Sequence, residues 1–509
     1  MSRLLSFKDI WKIYPNGTVA NRGVSLDIEG ETIHAIVGEN GAGKTTLMKI
    51  LFGMIEFEYG EIIYRGEAFK PKSPYDAISK RIGMVHQHLM LAPDLTVADN
   101  LVLGVEPLRR KIFYDFRGAV KLAKELVERY ELDVPVERLI KDLPVGTRQR
   151  VEILKALYRE ADVLILDEPT AVLTPQETEV LFRTLRQLRD NGRTILFISH
   201  KLEEVGQVAD VVTVMRDAEL IETRPAKGIS KPELAKLMVG RQIDFERVPP
   251  AKQIGEPILE VEDLSYRNDE GVPVLKEISF EVRQGEILGV AGVDGNGQTE
   301  LVRCLTGLME PDSGRMVFGD TPLNGLSPRQ VRNQGIAHIP EDRMEDGVAE
   351  TATLMENVIV DRYHKPPFSK QGKMNWEKAM SYARGLVDEY GIVTGGITND
   401  LGSLSGGNIQ KAVVARELSA EPSLVVAAQP TRGVDVGSGE QLHSILLRTR
   451  DAGKGVLLVS ADLDEILKLS TRIIVIYAGR IVAHFSDAGE VSAVDLGPYM
   501  LGIKRQEGV

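Results

Sequence analysis

The residues with the clearest chemical meaning form one glycine-rich stretch near the start of the chain. It fits the phosphate-binding pattern G-x-x-x-x-G-K-[ST] and runs through Gly38, Glu39, Asn40, Gly41, Ala42, Gly43, Lys44, Thr45 and Thr46. The glycines of such a loop let the backbone turn its N–H groups toward phosphate oxygens, and a helix N-terminus adds favourable dipole charge. Lys44 can then reach the β- and γ-phosphates of a nucleotide, and Thr45 can ligate Mg²⁺. The stretch, which is called a P-loop, therefore predicts a site for a nucleotide and Mg²⁺.

The segments on either side of this loop are the ones that the motif requires. The apolar run 33–37 predicts a buried strand, and residues 46–51 predict a helix. A glycine-rich turn that matches the pattern by chance is the competing interpretation, and the strand–loop–helix setting argues against it.

A second chemical element is a pair of carboxylates, Asp167 and Glu168, which follows the apolar run 163–166. A buried strand can deliver such an acid next to a P-loop, where Asp167 would hold Mg²⁺ and Glu168 would polarise the attacking water. The alternative is a helix N-cap after a strand, since acidic residues are favoured there. The presence of a P-loop in the same half of the chain favours the catalytic interpretation.

Three further residues are candidates whose ordinary explanations stay open when each is taken alone. Gln87 follows an apolar segment and could sense Mg²⁺ or the attacking water, although a glutamine is most often a surface residue. His200 ends the apolar segment 194–199 and could bind a γ-phosphate and orient the general base, or could be a polar strand end. Tyr14 could stack on adenine or belong to the core.

The chain contains a large internal repeat. Segment 292–299 repeats the P-loop, 428–431 repeats 167–170, and 459–465 repeats 198–204. Because these motifs recur in the same order, we expect tandem homologous domains at 1–240 and 258–509, joined by a linker at 241–257. Apolar strands alternate with helical patterns in each half, which predicts an α/β fold with a mostly parallel sheet.

Composition limits the functional classes. The chain has 509 residues and a net charge of −12, which argues against a nucleic-acid partner. Its single cysteine, Cys304, excludes an intrachain disulfide and suits a reducing cytosol. No apolar run approaches the roughly 18 residues that a membrane span needs, and no signal peptide is evident. We therefore expect any membrane association to go through a partner.

Taken together, the motifs resemble those of the ATP-binding subunits of ABC transporters, over nearly all of both halves. The resemblance implies two tandem P-loop NTPase domains, each with a mostly parallel core sheet, an antiparallel β subdomain and a helical subdomain. It implies nucleotide binding by the Walker A loop 38–46 and adenine stacking by Tyr14. The further roles that it implies are metal binding by Thr45, Gln87 and Asp167, and catalysis by Lys44, Gln87, Glu168 and His200.

The signature of this family, L-S-G-G-Q, is well preserved in the second half. It is formed there by Leu404, Ser405, Gly406, Gly407 and Asn408. The first half has Leu-Pro-Val-Gly-Thr at 143–147 instead. Pro144 lacks both a hydroxyl and a backbone N–H, so it is a poor phosphate partner.

The second half has lost the residues that the first half keeps. Gln298 replaces Lys44, Ala428 and Gln429 replace the two acids, and Ala461 replaces His200. Domains of this family pair head to tail, with each ATP between one Walker A loop and the other signature. The resemblance therefore implies that the intact P-loop meets the intact signature, that all losses fall on the other composite site, and that one site hydrolyses ATP.

Within the family, tandem subunits with a degenerate second half resemble those of monosaccharide and nucleoside importers. Segments 143–154 and 427–435 favour the nucleoside group. The resemblance implies two transmembrane permease subunits, an extracytoplasmic solute-binding protein, no nucleic acid, and a peripheral location at the cytoplasmic face of the cell membrane. The regions after Gln87 and around Glu341 would contact the permeases. The alternatives are a soluble tandem ABC ATPase that acts on ribosomes or DNA, and a regulatory ATPase with a purely structural second half.

Overall fold

The computed structural model describes residues 3–15, 17–86, 89–110, 112–130, 132–170, 173, 175–199, 201–240, 254–293 and 295–506. The chain divides into two compact units, Met1–Ile243 and Asp244–Val509. Most of the expected linker, 241–253, lies outside the described residues. Each unit is an α/β domain, as the alternation of strands and helices predicts.

The strands of the first unit form an antiparallel and a mostly parallel sheet. They are β1 (Arg3–Ile13), β2 (Val19–Glu29), β3 (Ile33–Val37), β4 (Tyr59–Tyr64), β5 (Glu67–Ala68), β6 (Ile82–Val85), β7 (Leu108–Arg109), β8 (Phe113–Tyr114), β9 (Val163–Asp167), β10 (Thr194–Ser199), β11 (Val211–Arg216) and β12 (Glu219–Pro225). The antiparallel sheet has the order β2-β1-β4-β5, and the larger sheet has the order β12-β11-β3-β10-β9-β6. Only β12 is antiparallel in the larger sheet, and β7 and β8 form a separate hairpin.

The helices of the first unit cover the larger sheet and form a helical subdomain. They are α1 (Lys44–Leu51), α2 (Pro74–Ser79), α3 (Val97–Val102), α4 (Phe116–Tyr130), α5 (Val145–Tyr158), α6 (Pro175–Asp190), α7 (Leu202–Val208) and α8 (Lys231–Val239). Helices α3, α4 and α5 pack on one another. Ala119 and Ala123 are fully buried on α4 and form part of this packing.

The second unit repeats this architecture. Its strands are β13 (Pro257–Arg267), β14 (Pro273–Arg283), β15 (Ile287–Ala291), β16 (Ser313–Phe318), β17 (Thr321–Pro322), β18 (Ile336–Ile339), β19 (Ser369–Lys370), β20 (Lys373–Met374), β21 (Leu424–Ala428), β22 (Gly455–Ser460), β23 (Arg472–Tyr477) and β24 (Arg480–Phe485). Its helices are α9 (Gln298–Leu305), α10 (Pro328–Asn333), α11 (Leu354–Ile359), α12 (Trp376–Tyr390), α13 (Gly406–Leu418), α14 (Val436–Asp451), α15 (Leu463–Leu469) and α16 (Ala493–Met500). The sheet orders, β14-β13-β16-β17 and β24-β23-β15-β22-β21-β18, match those of the first unit strand for strand.

The parallel strands bring the chemical residues to one edge of each sheet. Strand β10 lies between β3 and β9, so Ser199 pairs with Val37 and Ile198 pairs with Asp167. Because parallel strands point the same way, the P-loop after β3 and the acids at the end of β9 emerge at the same edge. All three strands are buried along their length, as expected of a sheet covered on both faces.

Candidate functional site

The P-loop of the first unit needs its glycines for two different reasons. Gly41 and Gly43 have φ angles of 86° and 93°, in the left-handed region that side chains disfavour. At Gly38 and Gly43 the surroundings also forbid a side chain. A Cβ would lie 2.2 Å from the carbonyl oxygen of Met215 at the first position and 2.1 Å from that of Ala20 at the second. The loop is therefore held tightly against two neighbouring backbone segments.

Lys44 is folded back on its own loop. Its side chain is buried, with the residue only 5% exposed. Its Nζ donates hydrogen bonds to the carbonyl oxygens of Gly38 at 2.7 Å and Glu39 at 2.8 Å. These bonds place the ammonium charge inside the turn of the P-loop, where an anionic phosphate chain would meet it.

Thr45 and Asp167 come together as the sequence predicts for a metal site. The Thr45 hydroxyl donates a 3.0 Å hydrogen bond to Oδ1 of Asp167. Asp167 is 3% exposed, and burial raises the pKa of its carboxyl group despite the opposing effect of the Thr45 hydrogen bond. A cation at this point would remove the cost of burying a carboxylate. The pair offers hard oxygen ligands, and Mg²⁺ commonly takes its remaining ligands from water and phosphate, so the residues fit that ion.

Glu168 occupies an unusual backbone conformation. Its φ is 48°, and its N–H donates a 3.0 Å hydrogen bond to the carbonyl oxygen of Ile198 on the neighbouring strand. A left-handed conformation is uncommon for a residue with a long side chain, and such strain is often found at functional sites. The turn marks the end of β9 immediately after Asp167, at the edge of the sheet that carries the P-loop.

Of the three remaining candidates in the first unit, Tyr14 lies among the described residues. Tyr14 is half-buried, and its hydroxyl lies 3.4 Å from the Thr46 hydroxyl on α1, so it stands beside the P-loop helix. Lys12 places its Nζ 5.6 Å from the centre of the Tyr14 ring. Gln87 and His200 lie outside the described residues.

The P-loop of the second unit surrounds a neutral side chain in place of the lysine. Gln298 is buried and stands at the first position of α9, as Lys44 does on α1. Its Nε2 donates to the carbonyl oxygen of Val293 at 3.1 Å, and its Oε1 accepts the N–H of Asn296 at 3.1 Å. The glutamine amide thus forms two hydrogen bonds with its own loop and supplies no cation.

In the second unit the P-loop threonine contacts a different carboxylate, which the sequence motifs do not reveal. Ala428 stands where Asp167 would be, and the Thr299 hydroxyl donates to Oε2 of Glu341 at 2.9 Å instead. The other carboxylate oxygen of Glu341 forms an ion pair with Arg432. Glu341 is the second residue after the end of β18, just as Gln87 is the second residue after the end of β6. An alignment of the two halves at these strand ends could have identified Glu341 from the sequence.

Gln429 keeps the backbone conformation of the glutamate that it replaces. Its φ is 46°, and its N–H donates to the carbonyl oxygen of Val459 at 2.7 Å. Its Oε1 accepts the N–H of Ala461 at 3.1 Å. The strained turn at the strand end is therefore common to both units, whereas the carboxylate is present only in the first.

The signature loop of the second unit is an ordered helix start. Ser405 is the N-cap residue of α13, and its Oγ accepts a 2.9 Å hydrogen bond from Nδ2 of Asn408. Asn408 also accepts the N–H of Val393 at 2.8 Å. Gly407 has no room for a side chain, because a Cβ would lie 2.5 Å from the Ser438 hydroxyl. Asn408 thus links the Ser405 hydroxyl to the backbone at Val393.

None of the helices in the described residues is long and apolar enough to cross a membrane. In the same part of the chain, no cluster of three or more histidine, cysteine or acidic residues is arranged to hold a metal ion.

Comparison with known proteins supports the assignment of both units. The profile of the ABC transporter family matches residues 21–171 and 275–432. The nucleoside import ATP-binding protein NupA of Lactococcus lactis subsp. cremoris (strain MG1363) is 45% identical over 95% of this chain and 95% of its own length. The guanosine import ATP-binding protein NupO of Bacillus subtilis (strain 168) is 42% identical over 100% of this chain and 99% of its own. The glucose import ATP-binding protein TsgD13 of Haloferax volcanii is 42% identical over 94% and 92%, respectively.

A solved structure shares the tandem fold at lower identity. The archaeal ribosome recycling factor aABCE1, in its crystal structure with the ribosomal stalk protein aP1, aligns with a TM-score of 0.61 and 20% identity over 98% of this chain and 94% of that chain. This likeness shows the fold alone. The family profile and the near full-length relatives show more: the chain belongs to the ABC transporter family, as an ATPase subunit with two tandem ABC ATPase domains.

Proposed function

We propose that this chain energises a nucleoside importer from the cytoplasmic face of the cell membrane, with ATP hydrolysed at the P-loop of the first unit. The observation that carries the assignment of that site is the 3.0 Å contact between Thr45 and Asp167, beside the loop that holds Lys44. The equivalent contact in the second unit is made with Glu341, which is neutralised by Arg432. This difference supports our assignment of the metal–nucleotide site to the first unit.

Each residue of the first site has a distinct chemical task in this proposal. Lys44 would exchange its bonds with loop carbonyls for bonds with the β- and γ-phosphates. Mg²⁺, held by the oxygens of Thr45 and Asp167, would neutralise charge on the phosphates. Glu168 would accept a proton from the attacking water, since a carboxylate within reach of the nucleophile can act as general base. Gln87 and His200 are proposed to position the metal and the γ-phosphate.

The signature loop 404–408 is proposed to complete this site. Family resemblance supports the pairing of this loop with the first P-loop. The distribution of the altered motif residues between the two units supports it as well. The unit with Lys44 has Pro144 in its signature position, whereas the unit with Ser405 has Gln298 in its P-loop. Pairing of unlike units joins the preserved elements, and pairing of like units would join each preserved element to a degraded one.

The nucleoside class is supported by relatives over nearly the whole chain. The proteins at 45% and 42% identity are named for nucleoside and guanosine import. A relative named for glucose import is also 42% identical, so a simple sugar is the alternative substrate. The transport assay below compares the two classes directly.

Exposed apolar residues next to the helical subdomain support docking to membrane partners. Around the β7–β8 hairpin, Val105 is 53% exposed, Ile112 is 76% exposed and Phe113 is 65% exposed. In the second unit, Tyr363 and Trp376 flank the β19–β20 hairpin and are 52% and 50% exposed. Grouped apolar side chains on a surface are typical of protein interaction sites. We assign these surfaces, together with the regions after Gln87 and around Glu341, to contacts with two transmembrane permease subunits, which would receive solute from an extracytoplasmic binding protein.

Purification through a tag on this chain tests the proposal. We expect two multi-spanning proteins to co-purify, and the complex reconstituted in vesicles with its binding protein to take up labelled nucleosides on addition of ATP. A complex with Glu168→Gln is the matched control and should bind nucleotide without uptake. Uptake of monosaccharides alone would overturn the nucleoside assignment, and recovery of ribosomes without membrane proteins would overturn the transport assignment.

A further inference from the structure

Arg343 connects two loops of the second unit that are far apart in sequence. Its Nη1 donates a 2.6 Å hydrogen bond to the carbonyl oxygen of Arg432, and its Nη2 donates a 3.2 Å bond to that of Gly433. The side chain is half-buried. A guanidinium group can make two such bonds at once because its donors lie in one rigid plane.

The same guanidinium group lies against the start of the signature helix. A Cβ at Gly406 would lie 2.6 Å from Nη2 of Arg343, and a Cβ at Gly433 would lie 3.3 Å from it. Both glycines therefore leave the space that the guanidinium occupies. Gly406 directly follows Ser405, the N-cap of α13, so the guanidinium of Arg343 lies beside both the start of the signature helix and the loop at 432–433.

The segment that carries Arg343 is itself anchored. Asp342 accepts the N–H groups of Met344 at 2.8 Å and Glu345 at 3.1 Å and so caps the π-helical turn Arg343–Gly347. Immediately before it, Glu341 forms an ion pair with Arg432. The backbone on both sides of Arg343 is thus held, and the guanidinium has a defined position.

Comparison within the chain links this arginine to the preserved signature. Arg343 is the fourth residue after the end of β18. The fourth residue after the end of β6, in the first unit, is Leu89. The first unit also has Pro144 in place of Ser405. The arginine is therefore found in the unit whose signature loop is intact, and leucine is found in the unit whose signature loop is degraded.

We propose that Arg343 is a positioning residue for ATP hydrolysis, which holds the signature loop 405–408 at a fixed distance from the 432–433 loop. Preorganised donors stabilise a transition state more than donors that must first be ordered, so a loosened signature loop should slow turnover. The inference rests on the proposed function, in which the signature loop of the second unit completes the nucleotide site of the first. Arg343 itself is not assigned a contact with ATP.

The test uses the assembled transporter with Arg343→Ala and Arg343→Lys. For the alanine variant we expect kcat to fall by roughly tenfold or more while the KM for ATP changes by less than about twofold, because only the ordering of the loop is lost. Lysine can donate to one carbonyl and should restore part of kcat. The matched control is Arg315→Ala, which removes an exposed arginine lying 3.8 Å from Glu262 on the antiparallel sheet of the same unit.

The outcomes separate this inference from the proposal on which it rests. If Ser405→Ala lowers kcat and Arg343→Ala does not, the positioning role is wrong and the composite site stands. If neither variant changes kcat, the signature loop does not serve the site and both proposals fail. Amide hydrogen exchange provides a second measurement. It should accelerate at residues 406–410 in both Arg343 variants, and unchanged exchange, or a general loss of protection across the unit, would overturn the positioning role.

Discussion

The Thr299 hydroxyl donates a 2.9 Å hydrogen bond to the Glu341 carboxylate, whereas its counterpart Thr45 donates a 3.0 Å bond to Asp167. Both threonines thus meet an acid, but the acids come from different strands. Asp167 ends β9, and Glu341 follows β18, the strand at the edge of its sheet. Because Arg432 already neutralises Glu341, the Thr299 hydroxyl has a charge-balanced acceptor without a divalent cation.

Glu168→Gln should nearly abolish ATP turnover while nucleotide binding persists. The amide keeps the shape of the side chain but cannot accept a proton from water, and loss of a general base typically costs about 10²- to 10⁴-fold in rate. Phosphate release from the assembled complex measures turnover, and a fluorescent ATP analogue measures binding. Gln298→Ala is the matched variant in the second P-loop and should retain turnover. The assignment is wrong if the first variant keeps its activity and the second loses it.

Gly43→Ala should destabilise the first unit more than Gly41→Ala. Both positions require a left-handed backbone, which costs an alanine about 1–2 kcal/mol. Only at Gly43 would the new Cβ also collide with a carbonyl, that of Ala20 at 2.1 Å, while Gly41 faces open space. Urea unfolding followed by the fluorescence of Trp11, with Trp376 replaced by Phe, reports on this unit. Equal losses of stability at the two positions would contradict the close approach of the loop to Ala20.

A buried histidine gives the second unit a pH-dependent contribution to stability. His443 lies 3.0 Å from Glu465 and 3.5 Å from Glu440, which is also paired with Lys468 at 2.8 Å. Burial alone would lower the pKa of His443, but the two glutamates outweigh it and raise the pKa to about 9. The corresponding residue in the first unit, at the same place on α6, is Phe182.

The sign of this effect follows from the raised pKa. The folded unit holds the proton more tightly than the unfolded chain, so the stabilisation is complete below about pH 6.5 and is lost as the pH rises through about 9. Unfolding monitored at Trp376 in a Trp11→Phe background should therefore show a free energy that decreases over this interval. In His443→Phe that decrease should be absent. A variant that keeps the same pH dependence would assign it to another group.

Phe113→Asp should weaken attachment of the chain to permease-containing vesicles. Phe113 is 65% exposed on the β7–β8 hairpin, and removal of an aromatic hot spot from an interface costs about 2 kcal/mol or more, which is roughly a thirtyfold change in affinity. Co-sedimentation measures attachment, and binding of a fluorescent nucleotide to the isolated chain should stay unchanged. The control is Tyr75→Asp, which alters an aromatic residue on α2 that is 78% exposed. Equal loss with both variants would show a nonspecific effect of charge.

Local patterns were sufficient to predict the elements that carry the first site. The apolar runs before Gly38 and Asp167 form β3 and β9, because continuous apolar segments are suited to a sheet buried on both faces. The internal repeat predicts the second α/β unit in the same way. The contact between Thr45 and Asp167 follows from the family resemblance, and the strand order places these residues at one edge of the sheet.

Long-range side-chain pairing in the second unit could not be predicted from these patterns. Substitution of Lys44 by Gln298 shows that a cation is lost, but not that the amide bonds to Val293 and Asn296. Nothing local to Arg343 indicates that its partners lie at 432–433, since that contact depends on the folded path of the chain. The left-handed turn at Glu168 also has no sequence signal, because the hydrogen bond to Ile198 that fixes it comes from another strand.

The matching turns at Glu168 and Gln429, with φ angles of 48° and 46°, show that the two units share a backbone geometry at a point where their side chains differ. Backbone geometry is costly to rebuild, whereas a side chain changes with one codon. In the second unit the strand order and this turn match those of the first, so its backbone still presents the positions at which the first unit carries its acids. Installing catalysis there is an engineering problem of a limited set of substitutions, at Gln298, Ala428, Gln429 and Ala461 and at Pro144 and Val145 of the altered signature, together with release of Glu341 from Arg432.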